Sequence, residues 1–250
     1  MTTHPLFDIE MADPSWHICL RLALEKMDPE YLESLYKTTD WLPGHHKIFN
    51  AFTLPLKQTR YVLFGESPYP RAASANGYAF WDNAVDELWS ETGLSKRVNR
   101  ATSLRNIIKM LLVAEGILNP GETTQMDIAK RCKNNLVKTN QALFNNFLAH
   151  GFLLLNATPV LRKNQIQKDA RAWHPFIRQV LTFIFENQPE TQLVLLGNIA
   201  TLIEKLIGSR KMHRLKAEHP YNLSFIENPK IIDFFKPLHL LRKSPNPSCK

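Results

Sequence analysis

Four short runs along the chain have the pattern of β-strands. Residues 61–64, 152–155 and 193–196 are continuous runs of leucine, β-branched and aromatic residues, and residues 213–217 form a weaker fourth run. Their length favours strands over helices. We therefore expect four strands, the first three of them buried.

Two stripes of apolar residues recur at helical spacing. Both are interpreted as core-facing surfaces that need no ligand. They comprise Leu104, Ile107, Ile108, Leu111 and Leu112 in the first stripe, and Trp173, Phe176, Ile177, Val180, Leu181, Ile184 and Phe185 in the second. Residues 198–207 predict a third helix. Because strands alternate with helices, the sequence predicts an α/β fold with parallel pairing and helices on both faces of the sheet.

Polar residues follow each predicted strand. They are Gly65, Glu66 and Ser67, then Asn156, then Gly197 and Asn198, and finally Glu218 and His219. Parallel sheets bind ligands at the carboxyl ends of their strands, so a carboxylate, an amide and an imidazole are expected on one edge. A polar residue in such a position is also commonly a cap or a turn former, and both interpretations stand for each residue alone.

Composition narrows the class of protein. The 250 residues have 44% hydrophobic and 22% charged residues, which excludes a disordered chain, and the length allows one large domain or two small ones. Lys and Arg outnumber Asp and Glu by 31 to 23, for a net charge of +8. This excess favours an anionic partner such as nucleic acid, although a solvated basic surface explains it equally well.

The cysteines and the termini predict neither a metal site nor membrane association. Cys19, Cys132 and Cys249 are isolated, which indicates neither a zinc site nor a disulfide framework, and three thiolates are too few for an iron–sulfur cluster. The start of the chain lacks the pattern of a signal peptide, and no apolar run approaches the ~20 residues of a membrane helix. We expect no cofactor and no metal, and a cytoplasmic protein, or a nuclear one in a eukaryote.

Five segments, in order, resemble the common cofactor-free uracil-DNA glycosylases. They are KIFNAFTLPLKQTRYVLFG, GESPYPRAASANGYAF, ATSLRNIIKML, GFLLLNATPVLR and HRLKAEHPYNLS. The second is similar to the family's GQDPYH loop with its GLAF-like continuation, the fourth to the LLLNT strand, and the last to the HPSPLS loop that enters DNA. The resemblance implies a three-layer α/β/α sandwich around a four-stranded parallel sheet. It also implies a single, monomeric domain over residues 1–250, with residues 242–250 as a loose tail.

The resemblance implies an enzyme that flips uracil out of the DNA into a base pocket and excises it there. Asn156 matches the residue that reads the Watson–Crick edge of uracil, Phe80 matches the aromatic that stacks on the flipped base, and Tyr69 matches the residue that rejects the methyl group of thymine. The structural alternatives are a strand cap for Asn156, a core aromatic for Phe80 and a seal at the rim for Tyr69.

The same resemblance assigns the leaving group and the DNA contacts. His219 matches the imidazole that binds uracil O2 as negative charge develops, and Leu223 matches the wedge that fills the gap left by the flipped nucleotide. Ser103 and Ser224 match phosphate contacts. A purely structural histidine and a buried loop leucine are the alternatives for the first two.

Four departures from the family pattern affect the chemistry. Ser67 stands where the family has the Asp that positions water and faces the sugar cation, and Glu66 stands where it has Gln. Pro70 replaces the motif His, and Tyr221 replaces a phosphate-contacting Ser. Residues 71–75 also lack the usual glycines. GESP is similar to the GEAP motif of the iron–sulfur glycosylases, so the catalytic carboxylate is interpreted as having moved one position, although neighbouring side chains in an extended loop point apart.

Three functions remain open from the sequence. The first is a DNA-repair glycosylase acting on uracil or another deaminated base in DNA, with Glu66, Ser67 and His219 as catalytic residues. The second is a catalytically silent descendant that binds DNA or a replication partner, as poxviral relatives serve a polymerase. The third is a glycosylase of altered base range, acting on hypoxanthine or xanthine.

Overall fold

The computed structural model describes residues 7–131 and 133–243. Its strands are β1 Tyr61–Gly65, β2 Trp89–Ser90, β3 Gly93–Leu94, β4 Phe152–Asn156, β5 Gln192–Leu196 and β6 His213–Ala217. Its α-helices are α1 His17–Glu25, α2 Pro29–Tyr36, α3 Lys96–Arg100, α4 Thr102–Ala114, α5 Gln125–Ala129, α6 Asn140–Ala149, α7 Ile166–Asn187, α8 Ile199–Ile207 and α9 Pro229–Phe235. The 3₁₀ turns are Ile9–Met11, Pro14–Trp16, Asn50–Thr53, Leu56–Gln58, Leu223–Glu227 and Lys236–Leu238.

The chain divides into two compact units. Described residues within Met1–Trp81 and Gly151–Lys216 form the first unit, and those within Asp82–His150 and Ala217–Lys250 form the second. The first unit carries strands β1, β4 and β5, all of β6 except its last residue Ala217, and helices α1, α2, α7 and α8. The second carries the short β2–β3 hairpin and helices α3 to α6 and α9.

The four predicted strands form one sheet, in the order β4-β1-β5-β6. Strand β1 pairs in parallel with both β4 and β5, and Gly65 of β1 lies opposite Asn156 of β4. Strands β1, β4 and β5 are buried almost throughout, whereas the edge strand β6 is largely exposed. Continuous burial explains why the first three read as unbroken apolar runs, and exposure explains why the fourth is weak.

The core of the first unit lies on one face of this sheet. Alternate residues of the strands, such as Val62 and Phe64 of β1, join the buried stripe of α7, in which Trp173, Phe176 and Ile177 are fully buried. Helix α1 packs against α7. The apolar stripe predicted for α7 therefore faces the core, as does that of α4 in the second unit.

A buried ion pair supports the segment that follows β4. The Arg162 guanidinium bonds to the Asp169 carboxylate at the start of α7, and the Tyr31 hydroxyl of α2 donates to the same carboxylate at 2.9 Å. The Trp173 indole in turn donates to the Tyr31 oxygen at 3.0 Å. Because each of these buried polar groups has a partner, the network joins α2 and α7 to the chain beyond Asn156 without leaving an unpaired charge.

The predicted tail and two of the cysteines lie partly or wholly outside the described residues. Arg242, at the start of the predicted tail, forms a bridge with Leu136 and donates from Nε to Glu115. Residues 244–250 are not described. Cys19 is buried and in no disulfide, whereas Cys132 and Cys249 lie outside the described residues.

Candidate active site

Gly65 allows Asn156 to lie across the carboxyl end of β1. The strand pairing continues past these two residues through hydrogen bonds of 2.9 Å from Ala157 to Gly65 and from Thr158 to Glu66. A Cβ atom on Gly65 would lie 2.6 Å from Oδ1 of Asn156 and 2.9 Å from Cβ of Ala79. Only glycine leaves room here. Residue 65 must therefore be glycine because of its close neighbours, and not because of an unusual backbone angle.

The side-chain amide of Asn156 holds an unused hydrogen-bond donor. Asn156 is 3% exposed, and its Nδ2 is buried without a hydrogen-bond partner among the described residues. Leaving such a donor unpaired costs about 1–3 kcal/mol, so it marks a place where a ligand with an acceptor atom would bind.

Phe80 is held next to the same edge of the sheet in a rare backbone conformation. Its φ of +63° lies in the left-handed region, which is unfavourable for a residue with a Cβ. The preceding residue, Ala79, donates a 3.0 Å hydrogen bond to Leu154 of β4, and the Tyr69 hydroxyl donates to the Phe80 carbonyl at 3.1 Å. Both aromatic residues assigned to the base pocket are therefore linked to each other and to β4.

The loop before Phe80 is anchored by its backbone. Asn50 Nδ2 donates to the carbonyl of Asn76 at 2.8 Å, and the Asn76 side chain accepts from the Tyr78 amide at 3.1 Å. Gly77, at φ +89°, passes so close to the carbonyl of Lys47 that a Cβ would lie 1.9 Å from that oxygen. The loop keeps its path without the family's usual glycines in residues 71–75.

The two candidate catalytic residues after β1 differ in exposure. Glu66 is exposed, and its carboxylate has no hydrogen-bond or ion-pair partner within the described chain, while Ser67 is half-buried. The backbone of Glu66 is nevertheless fixed by the bond from Thr158. The Glu66 side chain is therefore not directed into the core, and whether it faces the sugar stays a prediction.

In the second unit, a backbone hydrogen bond sets the tautomer of His219. The amide of Tyr221 donates to Nδ1 of His219 at 3.0 Å, and the amide of Asn222 donates to its carbonyl at 2.9 Å. An amide N–H can only donate, so Nδ1 acts as the acceptor and the proton of the neutral ring is on Nε2. The ring thus offers an N–H donor at Nε2.

Asn106 holds the backbone of the loop that follows His219, a role that was not predicted from the sequence. It lies on α4 with 0% exposure, and its Nδ2 donates to the carbonyl of Pro220 at 2.7 Å and, more weakly, to that of Tyr221 at 3.4 Å. Arg105 Nε donates to its Oδ1 at 3.2 Å. The one feature of the sequence that could have indicated this role is an amide residue within the helical segment that carries the first apolar stripe.

The predicted phosphate contact Ser224 lies in the same loop as the Glu218 carboxylate. Asn228 Nδ2 donates to Glu218 Oε2 at 2.6 Å, and the Ser224 hydroxyl also acts to lower the pKa of Glu218. Partial burial acts to raise the pKa of Glu218, but these bonds and one from its own backbone N–H outweigh it and lower the pKa. Glu218 is therefore a charged anchor of the loop.

Two apolar side chains project from this loop into solvent. Leu223 is 70% exposed and Tyr221 is 67% exposed, whereas Phe225 and Ile226, which follow, are buried. Leu223 is therefore not a buried loop leucine, and its role as a wedge stays a prediction.

Ser103 lies in the first turn of α4, where the helix presents amides and positive charge. No side chain caps the start of α4. Burial, and after it the nearby Arg105, lower the pKa of Lys109 further along the helix, while Asp127 opposes this shift. The uncapped start of α4 suits a phosphate oxygen.

The structure thus groups the predicted residues within each unit. Glu66, Ser67, Tyr69, Phe80 and Asn156 belong to the first unit; Ser103, His219, Leu223 and Ser224 belong to the second. Within residues 7–131 and 133–243, no three His, Cys, Asp or Glu side chains come together as a metal site requires. Over the same ranges, no helix is both long enough and apolar enough to cross a membrane.

One solved structure is similar to this chain over nearly its full length. The crystal structure of wild-type UNG from Nitratifractor salsuginis superimposes with a TM-score of 0.91 and 39% sequence identity, covering 97% of this chain and 100% of that one. This chain belongs to the uracil-DNA glycosylase superfamily. The family resemblance and the predicted three-layer α/β/α fold around a four-stranded parallel sheet are confirmed.

Bacterial relatives of this superfamily member give a consistent picture at lower identity. The uracil-DNA glycosylase of Helicobacter pylori is 29% identical over 230 residues, covering 88% of this chain and 87% of that protein. The uracil-DNA glycosylase of Fusobacterium nucleatum is 27% identical over 197 residues, covering 78% and 74%. No family model matches the chain.

Proposed function

We propose that this superfamily member is a DNA-repair glycosylase that hydrolyses the N-glycosidic bond of uracil in DNA, as a monomer and without a cofactor. The observation that supports it most is the buried, unpaired Nδ2 of Asn156. An amide presents a donor and an acceptor side by side, and uracil offers the complementary O4 acceptor and N3–H donor. Cytosine offers the opposite pattern, so this amide selects uracil.

The pocket around the amide recognises the shape of the base. Phe80 stacks on the flipped uracil, and Tyr69 occupies the space that the 5-methyl group of thymine would need. The hydrogen bond from Tyr69 to the Phe80 carbonyl supports this assignment, because it holds the two rings in one loop at the edge of the sheet.

His219 stabilises the leaving base. When the N-glycosidic bond breaks, its electron pair stays with uracil, and negative charge develops on O2. A neutral imidazole with its proton on Nε2 donates a hydrogen bond to that oxygen without first losing a proton. The bond from the Tyr221 amide to Nδ1 supports this role, because it holds the ring in that tautomer.

Glu66 acts on water in the second half of the reaction. The sugar becomes an oxocarbenium-like cation, and water adds to C1′ while its proton passes to a general base. Glu66 is exposed and unpaired among the described residues, so its carboxylate is available both to accept that proton and to oppose the positive sugar. Ser67 is uncharged and replaces neither function of the family's Asp, so we expect slow catalysis.

The second unit contacts DNA at phosphates and through one wedge. Leu223 enters the base stack, while Ser103 at the start of α4 and the Ser224 segment contact phosphates. The net charge of +8 supports affinity for DNA that falls as salt rises.

One observation favours a second function, a DNA-binding protein without catalytic activity. It is the hydroxyl of Ser67 at the position of the family's Asp. An altered base range, including hypoxanthine or xanthine, is a third outcome.

The test is single-turnover excision from single- and double-stranded oligonucleotides that contain one uracil, hypoxanthine or xanthine. The proposal expects uracil release by the wild type and a loss of about tenfold or more in Asn156→Ala. Asn187→Ala, at an exposed amide on α7, is the matched control and should match the wild type. Release of no base, with DNA binding intact, would establish the silent protein instead.

A further inference from the structure

Tyr221 exposes an aromatic ring for which the fold has no use. The side chain is 67% exposed and makes no hydrogen bond or ring contact within the described residues. Its loop neighbours Phe225 and Ile226 are buried, so this segment does contribute to a hydrophobic core, but the Tyr221 ring lies outside it. A large apolar group held in solvent next to another, Leu223, is typical of a binding surface.

The backbone beneath the ring is rigid. The Tyr221 amide donates to Nδ1 of His219 at 3.0 Å, and its carbonyl accepts from Asn106 Nδ2 at 3.4 Å. The same Asn106 amide holds the carbonyl of Pro220 at 2.7 Å. Both polar groups of the Tyr221 backbone thus have a partner inside the second unit, while the side chain is exposed to solvent.

An exposed ring on a rigid loop is suited to stacking on a planar partner. A flexible loop would lose entropy when its ring was immobilised, whereas this one has its backbone fixed in advance. Proteins that bind opened or single-stranded DNA use such rings as platforms on which bases stack, with little sequence preference. A hydrophobic wedge such as Leu223 would separate two stacked bases. The nearby aromatic ring would then cover a base face that the wedge has exposed.

We propose that Tyr221 stacks on an unpaired or unstacked nucleobase next to the flipped nucleotide, so that this loop carries two inserting residues, Tyr221 and Leu223. The inference rests on the proposed function, since it takes DNA as the ligand. This stacking differs from the phosphate contact that a serine at this position would make, because the ring recognises the bases and not the charge of the DNA backbone. Tyr221 is a binding residue whose ring contacts the DNA directly.

Stacking on one base contributes enough to measure. Removal of the ring should weaken binding to single-stranded DNA roughly five- to hundredfold. The effect should depend on the presence of bases and should leave the salt dependence unchanged, because no phosphate contact is lost.

The experiment compares two uracil-free single strands of equal length and charge, one with normal bases and one with abasic sugars throughout, by fluorescence anisotropy. Tyr221→Ala should lose affinity for the strand with bases and bind the abasic strand like the wild type. Tyr221→Phe should bind both strands like the wild type, since it keeps the ring. Tyr36→Ala, at a tyrosine that is 57% exposed in the other unit, is the matched control and should change neither.

Two results would overturn the inference. Equal losses on both strands, shared by Tyr221→Phe, would show that the hydroxyl contacts the backbone. Unchanged binding by Tyr221→Ala would show that the ring contacts no base. Because the probes contain no uracil, the outcome is independent of excision: a silent protein can still show the base-dependent loss, and an active enzyme can fail to show it.

Discussion

The Tyr69 hydroxyl donates a hydrogen bond of 3.1 Å to the backbone carbonyl of Phe80, a residue whose φ is +63°. A left-handed conformation costs a residue with a Cβ roughly 1 kcal/mol or more and persists only where the surroundings impose it. Tyr69 therefore has two roles in the proposed pocket. Its ring limits the space for the base, and its hydroxyl holds the backbone from which the stacking ring of Phe80 projects.

Tyr69→Phe separates these two roles. The ring remains, so thymine should still be rejected, but the loss of one hydrogen bond, about 0.5–1.5 kcal/mol, loosens the Phe80 backbone. We expect uracil excision to fall severalfold, with the loss in KM rather than in selectivity. Steady-state kinetics on uracil- and thymine-containing strands measure both, and thymine release by this variant would contradict the assignment.

Gly65→Ala tests whether the position of the Asn156 amide matters. The new methyl group would lie 2.6 Å from Oδ1 of Asn156, so the amide must move, and excision should fall by about tenfold or more. Gly116→Ala is the control: its Cβ meets nothing within 4 Å, but its φ of +69° makes alanine strained. That variant should lose stability and keep activity. If Gly65→Ala excised uracil as fast as Gly116→Ala and the wild type, excision would not depend on the position of the Asn156 amide.

Asn156→Asp tests the selectivity of the same site. The carboxylate has acceptors only, which match the amine of cytosine and oppose the O4 of uracil. We expect uracil excision to fall and the preference between the two bases to shift towards cytosine, by about 1–3 kcal/mol per hydrogen bond. Excision rates of both bases by the wild type and the variant give this shift. An unchanged preference would make Asn156 a strand cap.

The buried network around Asp169 predicts a loss of stability in alkali. Burial, together with the Asp169 carboxylate, raises the pKa of Tyr31 well above its ordinary value of about 10. Above pH 10 the unfolded chain loses this proton and the folded chain keeps it, so stability is complete below that pH and falls as pH rises. Urea unfolding at pH 8 to 11 should show a smaller pH-dependent loss in Tyr31→Phe. Parallel curves for the two proteins would contradict this.

The sequence predicted the elements whose pattern reflects local burial and missed those that depend on distant contacts. The strands β1, β4 and β5 and the helix α7 were evident, because burial on both faces or along one stripe leaves a periodic signal. Helices α1, α2 and α6 were not identified from the sequence, nor was the two-residue pairing of β2 with β3.

The site divides in the same way. The residue types at the strand ends were readable, since they follow the apolar runs directly. The partners that position them were not: Asn106 holds a carbonyl 114 positions away, and Gly65 is constrained by an amide on another strand. The exposure of Glu66 also could not be read from a dipeptide, because neighbouring loop residues point in different directions.

The central claim is that a carboxylate one position from the family's Asp performs the hydrolysis, and single-turnover excision of uracil from a single strand by Glu66→Gln tests it most directly. The variant keeps the size of an exposed side chain, so folding should be unaffected. The account predicts a rate at least about a hundredfold below the wild type, with partial recovery when Ser67→Asp is added. A rate equal to that of the wild type would contradict it.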